Sequence, residues 1–217
     1  MPTASTPAKA RAPGTRAPRK TTGTRHEDKR IAILRTAAQL FATKGYEATS
    51  LDMVAEQLGM HKATLYHYIK GKDEVLYQCL VKSFEDLDTV IERMHDRTVP
   101  VMERLRQFAL SLSHAQNNDF GRCLVLVGAR PLEAVASANI RSFQKRLDNT
   151  VRDLITEGIA SGDLRPCHPG LVSAMLFGTL NWMPHWFKTE GKLSLDEVVH
   201  NFMDTLIQSI ATHPASR

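Results

Sequence analysis

Apolar residues recur every three or four positions along almost the whole chain, and no stretch shows the strict alternation of a half-buried strand. Ile31, Leu34, Ala38 and Phe41 mark the buried stripe of a first helix. Thr24-x-x-Glu27 opens it as a capping box, and Gly45 closes it, with Tyr46 placed to touch Phe41 as in a Schellman ending. Leu51, Val54, Ala55 and Leu58 form a second, shorter stripe that Thr49 or Ser50 can cap and that Gly59 ends. A third helix begins near Lys62. Asp73 and Glu74 then place acids in the first turn of a fourth, where the helix dipole favours them. Val75, Leu76, Cys79, Leu80, Phe84, Leu87, Ile91 and Met94 carry its stripe to about His95, which predicts one long helix. Further helices are expected over about 101–115, 137–160 and 169–187, with a short apolar piece at 123–127. A last helix is capped by Ser194-x-x-Glu197. The expected fold class is all-α.

The chemistry concentrates between Thr49 and Lys72. Two short helices joined by the turn Gly59-Met60-His61 have the length and the glycine of a helix-turn-helix. At about 100° per residue, Thr64, Leu65, Tyr68 and Ile69 fall on one side of the second helix. Lys62, Ala63, Tyr66 and His67 fall on the other. A cation, a small residue, a phenol and an imidazole on one face suit a phosphate-lined groove: charge, close approach, and donors that reach phosphate or base edges. Lys72, just before the fourth helix, can reach a backbone phosphate while the helix amides face the same anion.

The run Ala63-Thr64-Leu65-Tyr66-His67-Tyr68, followed by Lys70-Gly71-Lys72-Asp73-Glu74, resembles the recognition helix of the tetracycline-repressor (TetR) family of transcriptional regulators and the start of its next helix. Residue type and spacing agree over some twenty-five positions. His61 departs from the pattern, since the family often has a serine cap there. The resemblance implies a three-helix DNA-binding head, residues 24–72, and a helical effector-binding and dimerisation domain, residues 73–213. From residues and resemblance together, contacts to double-stranded operator DNA are expected from Thr49, Ser50, His61, Lys62, Ala63, Thr64, Tyr66, His67 and Lys72.

Charge refines this picture. The net formal charge is +5, but Lys9, Arg11, Arg16, Arg19, Lys20 and Arg25 precede His26 with no acid among them, so the rest of the chain is slightly acidic. The basic character therefore belongs to a Pro-, Ala-, Thr- and Arg-rich arm, residues 1–23, expected to be disordered and able to add non-specific phosphate affinity. Cys79, Cys123 and Cys167 are scattered, without CxxC or CxxH pairing, which argues for a reducing compartment and against a zinc site. No apolar segment follows the first basic residues, and Leu171 to Met183 is short of the roughly 20 apolar residues of a membrane span. A cytoplasmic protein is expected, with no membrane partner.

The helix over 169–187 is apolar nearly all round and carries the small residues Ser173, Ala174 and Gly178, so with the last helix it is the natural homodimer surface; burial against the chain's own middle helices is the alternative. The family resemblance implies a four-helix dimer interface and a small-molecule pocket that shifts the long helix. Leu180-Asn181-Trp182-Met183-Pro184-His185-Trp186-Phe187, with Gly191-Lys192-Leu193-Ser194 after it, resembles members that govern fatty-acid or sterol catabolism and respond to acyl-CoA thioesters. Asn181, Trp182 and Trp186 then form either a pocket wall with one orienting amide or a pair of ordinary core tryptophans. Phe108, Leu112, Phe143 and Met175 are candidates for the lining by position. Arg130, Arg141, Lys145 and Arg146 are candidates for holding a CoA phosphate, or else a solvated helix face.

An enzyme would need a signature that is missing: there is no HExxH, G-x-S-x-G, Walker loop or dinucleotide fingerprint. Cys123 lies in an apolar run, where a thiol is inert. A helical protein that uses its head for protein contacts is the third class. The expectation is a ligand-responsive repressor that binds a palindrome as a dimer, with no metal or cofactor. Its effector is a small hydrophobic molecule such as an acyl-CoA in lipid catabolism. The alternative is a regulator of efflux or detoxification genes that senses an unrelated apolar or aromatic ligand.

Overall fold

The computed structural model describes residues 22–85 and 87–212, so the expected basic arm lies outside the described residues except for its last two positions. Those positions begin α1, Thr22–Lys44, whose buried face is Ile33, Leu34, Ala37, Ala38 and Phe41. The helix therefore starts before the expected cap at Thr24, whose side chain is not among those described. Gly45 ends it at φ 88, a left-handed angle that glycine adopts without a Cβ penalty, and its amide donates to Phe41 O at 3.1 Å. Tyr46 folds back on Phe41 with ring centroids 5.2 Å apart.

Helix α2, Leu51–Gln57, is capped by Ser50, whose hydroxyl accepts from Met53 N at 3.2 Å. Gly59, at φ 62, turns the chain into α3, Lys62–Leu65. The regular helix there is a single turn. It continues to Tyr68 through tighter bonds, His67 N to Thr64 O and Tyr68 N to Leu65 O. Leu65 and Ile69 are 0% and 2% exposed and join the core beneath.

The single long helix expected from Asp73 to His95 is interrupted. Helix α4 spans Lys72–Lys82 and α5 spans Leu87–Arg93. Between them the backbone tightens into three-residue bonds, Phe84 N to Val81 O and Leu87 N to Phe84 O, while Ser83 Oγ donates to Leu80 O at 2.6 Å. A serine hydroxyl that bonds the preceding turn competes with the regular ladder. The stripe from Val75 to Met94 nevertheless stays buried throughout, so the interruption leaves no trace in the periodicity.

The body is α6, Val101–Asn117; α7, Asp119–Leu126; α8, Ala134–Ser161; α9, Pro169–Trp186; and α10, Leu195–Ile210. The hydrophobic stripes account for the ten helices found among the described residues except for the break that divides α4 from α5, and the one ladder contact described is an isolated bridge, Leu164 with Ala211. Gly162 closes α8 at φ 81, and the capping box at Ser194 and Glu197 opens α10 with both of its bonds made. Arg104, 2% exposed, is held on all sides: Nε donates to Val99 O at 2.9 Å, Nη1 to Met94 O at 2.7 Å, and the guanidinium grips Glu157 of α8. This side chain pins the α5–α6 loop to the body. The head docks on α7 as well as α4: Asp119 accepts from Gln39 Nε2 at 3.0 Å and faces Arg35 Nε at 3.4 Å, both on α1.

Candidate nucleic-acid interface and effector cavity

The outward face of α3 consists of His61, Lys62, Ala63, Tyr66 and His67, all exposed, standing over buried Leu65 and Ile69. Thr64 is half-buried at the edge of that face. Lys62 Nζ reaches back to Asp52 Oδ2 of α2 at 2.8 Å, and this hydrogen bond, with the carboxylate's charge, raises the lysine's pKa, so its charge is retained through neutral pH. Ser50 is exposed. A shallow hollow opens between residues 47–52 and 70–72, with Lys62, Lys70 and Lys72 around it and Tyr66 on its rim. Lys72 Nζ lies 4.1 Å over the Tyr46 ring and 3.4 Å from Glu47 O, which presents the ammonium beside the hollow. The Tyr46 hydroxyl donates to Asp73, and burial together with that neighbouring carboxylate holds the phenol above its usual pKa.

Thr49 is a correction. It is 1% exposed, and its hydroxyl donates to Gly45 O at 2.8 Å and faces Leu40 O at 3.3 Å. The side chain fastens the α1–α2 loop from within, and Ser50 alone takes the cap. Lys70, beside the hollow, reads in the sequence only as part of the run Lys70-Gly71-Lys72-Asp73-Glu74 that leads into the next helix, not as a contact residue.

A second site lies inside the body. A cavity of about 470 Å³ is bounded by Ser83 and Phe84 after α4, Leu87 of α5, Leu112 and Gln116 of α6, Gly121 and Leu124 of α7, Leu147 and Asp148 of α8, and Phe177 and Asn181 of α9. That size is ordinary for a ligand pocket. No lysine or arginine is among its lining residues. Asp148 supplies the one charge, and it accepts from Ser173 Oγ and from Arg152 Nε, the latter at 2.7 Å. Gln116 Nε2 donates to Asn181 Oδ1, and Gln116 Oε1 is buried with no hydrogen-bond partner among the described residues. Gly121 lets α7 cross α6 closely, since a Cβ there would sit 1.8 Å from Ala115 O.

Of the seven expected lining residues, Leu112 and Asn181 line this cavity. Phe108 is fully buried behind it, edge-on to Phe177 at 6.2 Å. Phe143 stacks on Phe84 at 4.2 Å and supports the wall from outside. Met175, Trp182 and Trp186 are 60%, 61% and 44% exposed, so the tryptophans belong neither to the pocket nor to the core. The helical angle explains this: Ala174, Phe177 and Asn181 share the flank of α9 that borders the cavity, beside the buried face of Val172, Leu176, Leu180 and Met183, and Leu171, Met175, Trp182 and Trp186 share the outer side. Ser173 points inward to Asp148. Arg130, Arg141, Lys145 and Arg146 are all exposed; Arg141 donates to Ser137 Oγ, and Arg146 pairs with Asp88 at 2.7 Å. Gln116 was missed, although a signal existed: it continues the stripe Leu105, Phe108, Leu112 as a polar residue on an apolar face.

Catalytic features are weak here. Cys123 is fully buried and its thiol is pushed up to about 12 by burial; Cys79 is likewise raised, and its thiol faces Leu34 O at 3.2 Å. Among the described residues no group of three or more His, Cys, Asp or Glu side chains is placed to hold a metal ion, and no helix is long and apolar enough to cross a membrane.

Comparison with known proteins adds to this geometry. Residues 98–210 match the family model for the tetracyclin repressor-like C-terminal domain, and residues 33–79 match that of the bacterial regulatory proteins of the tetR family. The chain is 24% identical over 195 residues to a fatty acid metabolism regulator protein of Bacillus subtilis, covering 84% of this chain and 95% of that one. The structure is similar to the regulator PfmR from Thermus thermophilus, with TM-score 0.73, 29% identity and coverage of 81% and 97%. It also resembles AibR in complex with isovaleryl coenzyme A and operator DNA, with TM-score 0.69, 24% identity and coverage of 85% and 98%.

Proposed function

The chain belongs to the TetR family of transcriptional regulators, and from that premise we propose that it is a dimeric repressor whose grip on a palindromic operator is released when an apolar effector fills the body cavity. The observation that carries this reading is the α3 face: His61, Lys62, Ala63, Tyr66 and His67 stand in solvent over an anchored Leu65, beside a hollow with three lysines. Backbone phosphates are met by the lysines and base edges by Tyr66 and His67.

Dimerisation uses the outer side of α9. Leu171, Met175, Trp182 and Trp186 form an uncovered apolar stripe, with Gly178 midway and open space above it. Half-buried Phe202 and Leu206 of α10 flank a groove beside it. A stripe of this kind marks an interaction surface, and a two-fold pair presents two recognition helices to a palindrome.

Effector control follows from what the cavity touches. Its walls include α7 and the end of α4, and both elements also hold α1 of the head. A coupling of about 1–3 kcal/mol between the two sites is enough for a switch. A thioester of the acyl-CoA class is the proposed effector, with the acyl chain inside and the nucleotide outside. The apolar walls and the lipid-related relative support it.

The test is an unbiased selection of operator sequences, followed by a mobility shift on the selected palindrome. Binding with no preference over random DNA overturns the repressor reading. Long-chain acyl-CoA titrated into the complex should release the DNA. No release, together with release by another apolar ligand, removes the lipid assignment and leaves the regulator.

A further inference from the structure

We propose that the part of the effector lodged in the body cavity is uncharged and carries a hydrogen-bond donor, a hydroxyl or an amide N–H, which meets the carbonyl oxygen of Gln116. This deepens the effector reading above and rests on it for the location of the site.

The carboxamide end of Gln116 sits at the cavity wall, because its Nε2 reaches Asn181 Oδ1 and both residues line the space. With the amide nitrogen committed to Asn181, the remaining oxygen is buried and unpaired. Gln116 is 7% exposed, so solvent does not answer that oxygen, and a buried acceptor left alone is costly. Ser113 Oγ and Asn117 Oδ1, within one turn of it on α6, are also buried without partners among the described residues. Neither of those two lines the cavity, so Gln116 Oε1 is the unpartnered acceptor that the chamber itself offers.

The same lining excludes an anion. No lysine or arginine lines the cavity to meet a carboxylate, and its one charged lining residue, Asp148, is an anion already paired with Arg152. An ionised group brought into such a space loses its hydration with nothing in return. A free fatty acid is refused on these grounds. A hydroxylated acyl thioester fits, with the chain and its hydroxyl inside and the phosphates left in water.

The experiment is calorimetric titration of the full-length protein, without DNA, with n-octanol, its methyl ether and octanoate. The alcohol donates and accepts, the ether only accepts, and octanoate carries the charge. The expected result is that the alcohol binds about tenfold more tightly than the ether and that octanoate gives no binding heat. In Gln116→Leu the alcohol should fall to the level of the ether, with ether binding retained. Asn181→Leu, at an exposed residue that the fold tolerates more readily, should narrow the preference by releasing the carboxamide. Ether or octanoate binding as tightly as the alcohol overturns the proposal. So does undetectable alcohol binding, or a preference kept in full by both variants. Because DNA is absent, failure to bind an operator leaves this result untouched. If Gln116-dependent alcohol binding occurs and the DNA is not released, the switch reading fails and the ligand class stands.

Discussion

Lys62→Ala isolates the electrostatic part of operator binding. Lys62 is 2.8 Å from Asp52, with side-chain exposures of 61% and 58%, so the pair is open to water and salt and yields readily to a phosphate. Each phosphate contact contributes about 0.9 to the slope of log K against log salt. A dimer carries two copies, so the variant should lower the magnitude of the slope by about 1.8. Over a rise from about 50 to 200 mM salt, the variant should therefore lose roughly tenfold less affinity than the parent. Fluorescence anisotropy on the selected operator and on random DNA at four salt concentrations measures this. Asp52→Asn is the converse control. It removes the competing carboxylate and should tighten binding on both DNAs alike. Equal slopes for parent and Lys62→Ala would refute the reasoning and make Lys62 a strut between α2 and α3.

Other expected outcomes rest on different parts of the molecule. Leu65→Ala should cost about 2–5 kcal/mol in denaturant unfolding and abolish operator binding, because this fully buried side chain anchors the α3 face; an unchanged midpoint would mean that the head does not depend on it. Arg104→Ala should cost about 3 kcal/mol, near the lower end for a broken buried pair because Glu157 keeps some water contact. The hydrogen bond from Arg104 holds the Glu157 carboxyl below its ordinary value of 4.5. That contribution is present above the ordinary value and is lost as pH falls through the depressed one, so Arg104→Ala should flatten the acid limb of stability against pH. Identical acid limbs would dissociate the pair from folding. Trp182→Glu, on the outer stripe of α9, should shift the protein to monomer in sedimentation with its helical content unchanged; a persistent dimer would move the interface elsewhere.

Much of this architecture was legible as a pattern of stripes. Leu34, Ala38 and Phe41, then Leu51, Val54 and Ala55, and Leu105, Phe108 and Leu112 are buried as their spacing predicts, while Ile31 and Leu58 at the stripe ends are half-buried. Gly45, Gly59 and Gly162 end helices at left-handed angles, and the Ser194–Glu197 box closes as its spacing requires. The outward set on α3 was legible too, because Leu65 and Ile69 determine which side turns inward. Such features are local: a helical angle, a cap or a glycine acts within one or two turns of itself.

Other features depend on what lies opposite. Ser83 to Phe84 breaks the expected long helix while keeping its stripe buried, so periodicity alone could not register the interruption. Thr49 and Ser50 are equally good caps on paper, and only the carbonyls of Leu40 and Gly45 draw the threonine inward. Trp182 and Asn181 are neighbours in sequence and both exposed, yet only Asn181 borders the cavity, because α6, α7 and α8 pack on its flank of α9 while the Trp182 side looks away from them. The amino-acid order by itself determined most of the helical stretches, the glycine and serine positions that end or open α1, α2, α8 and α10, and which face of α3 is polar. Which apolar faces find cover, and where five helices leave a space between them, was decided only by packing, since each depends on the distance and angle between segments far apart in the chain.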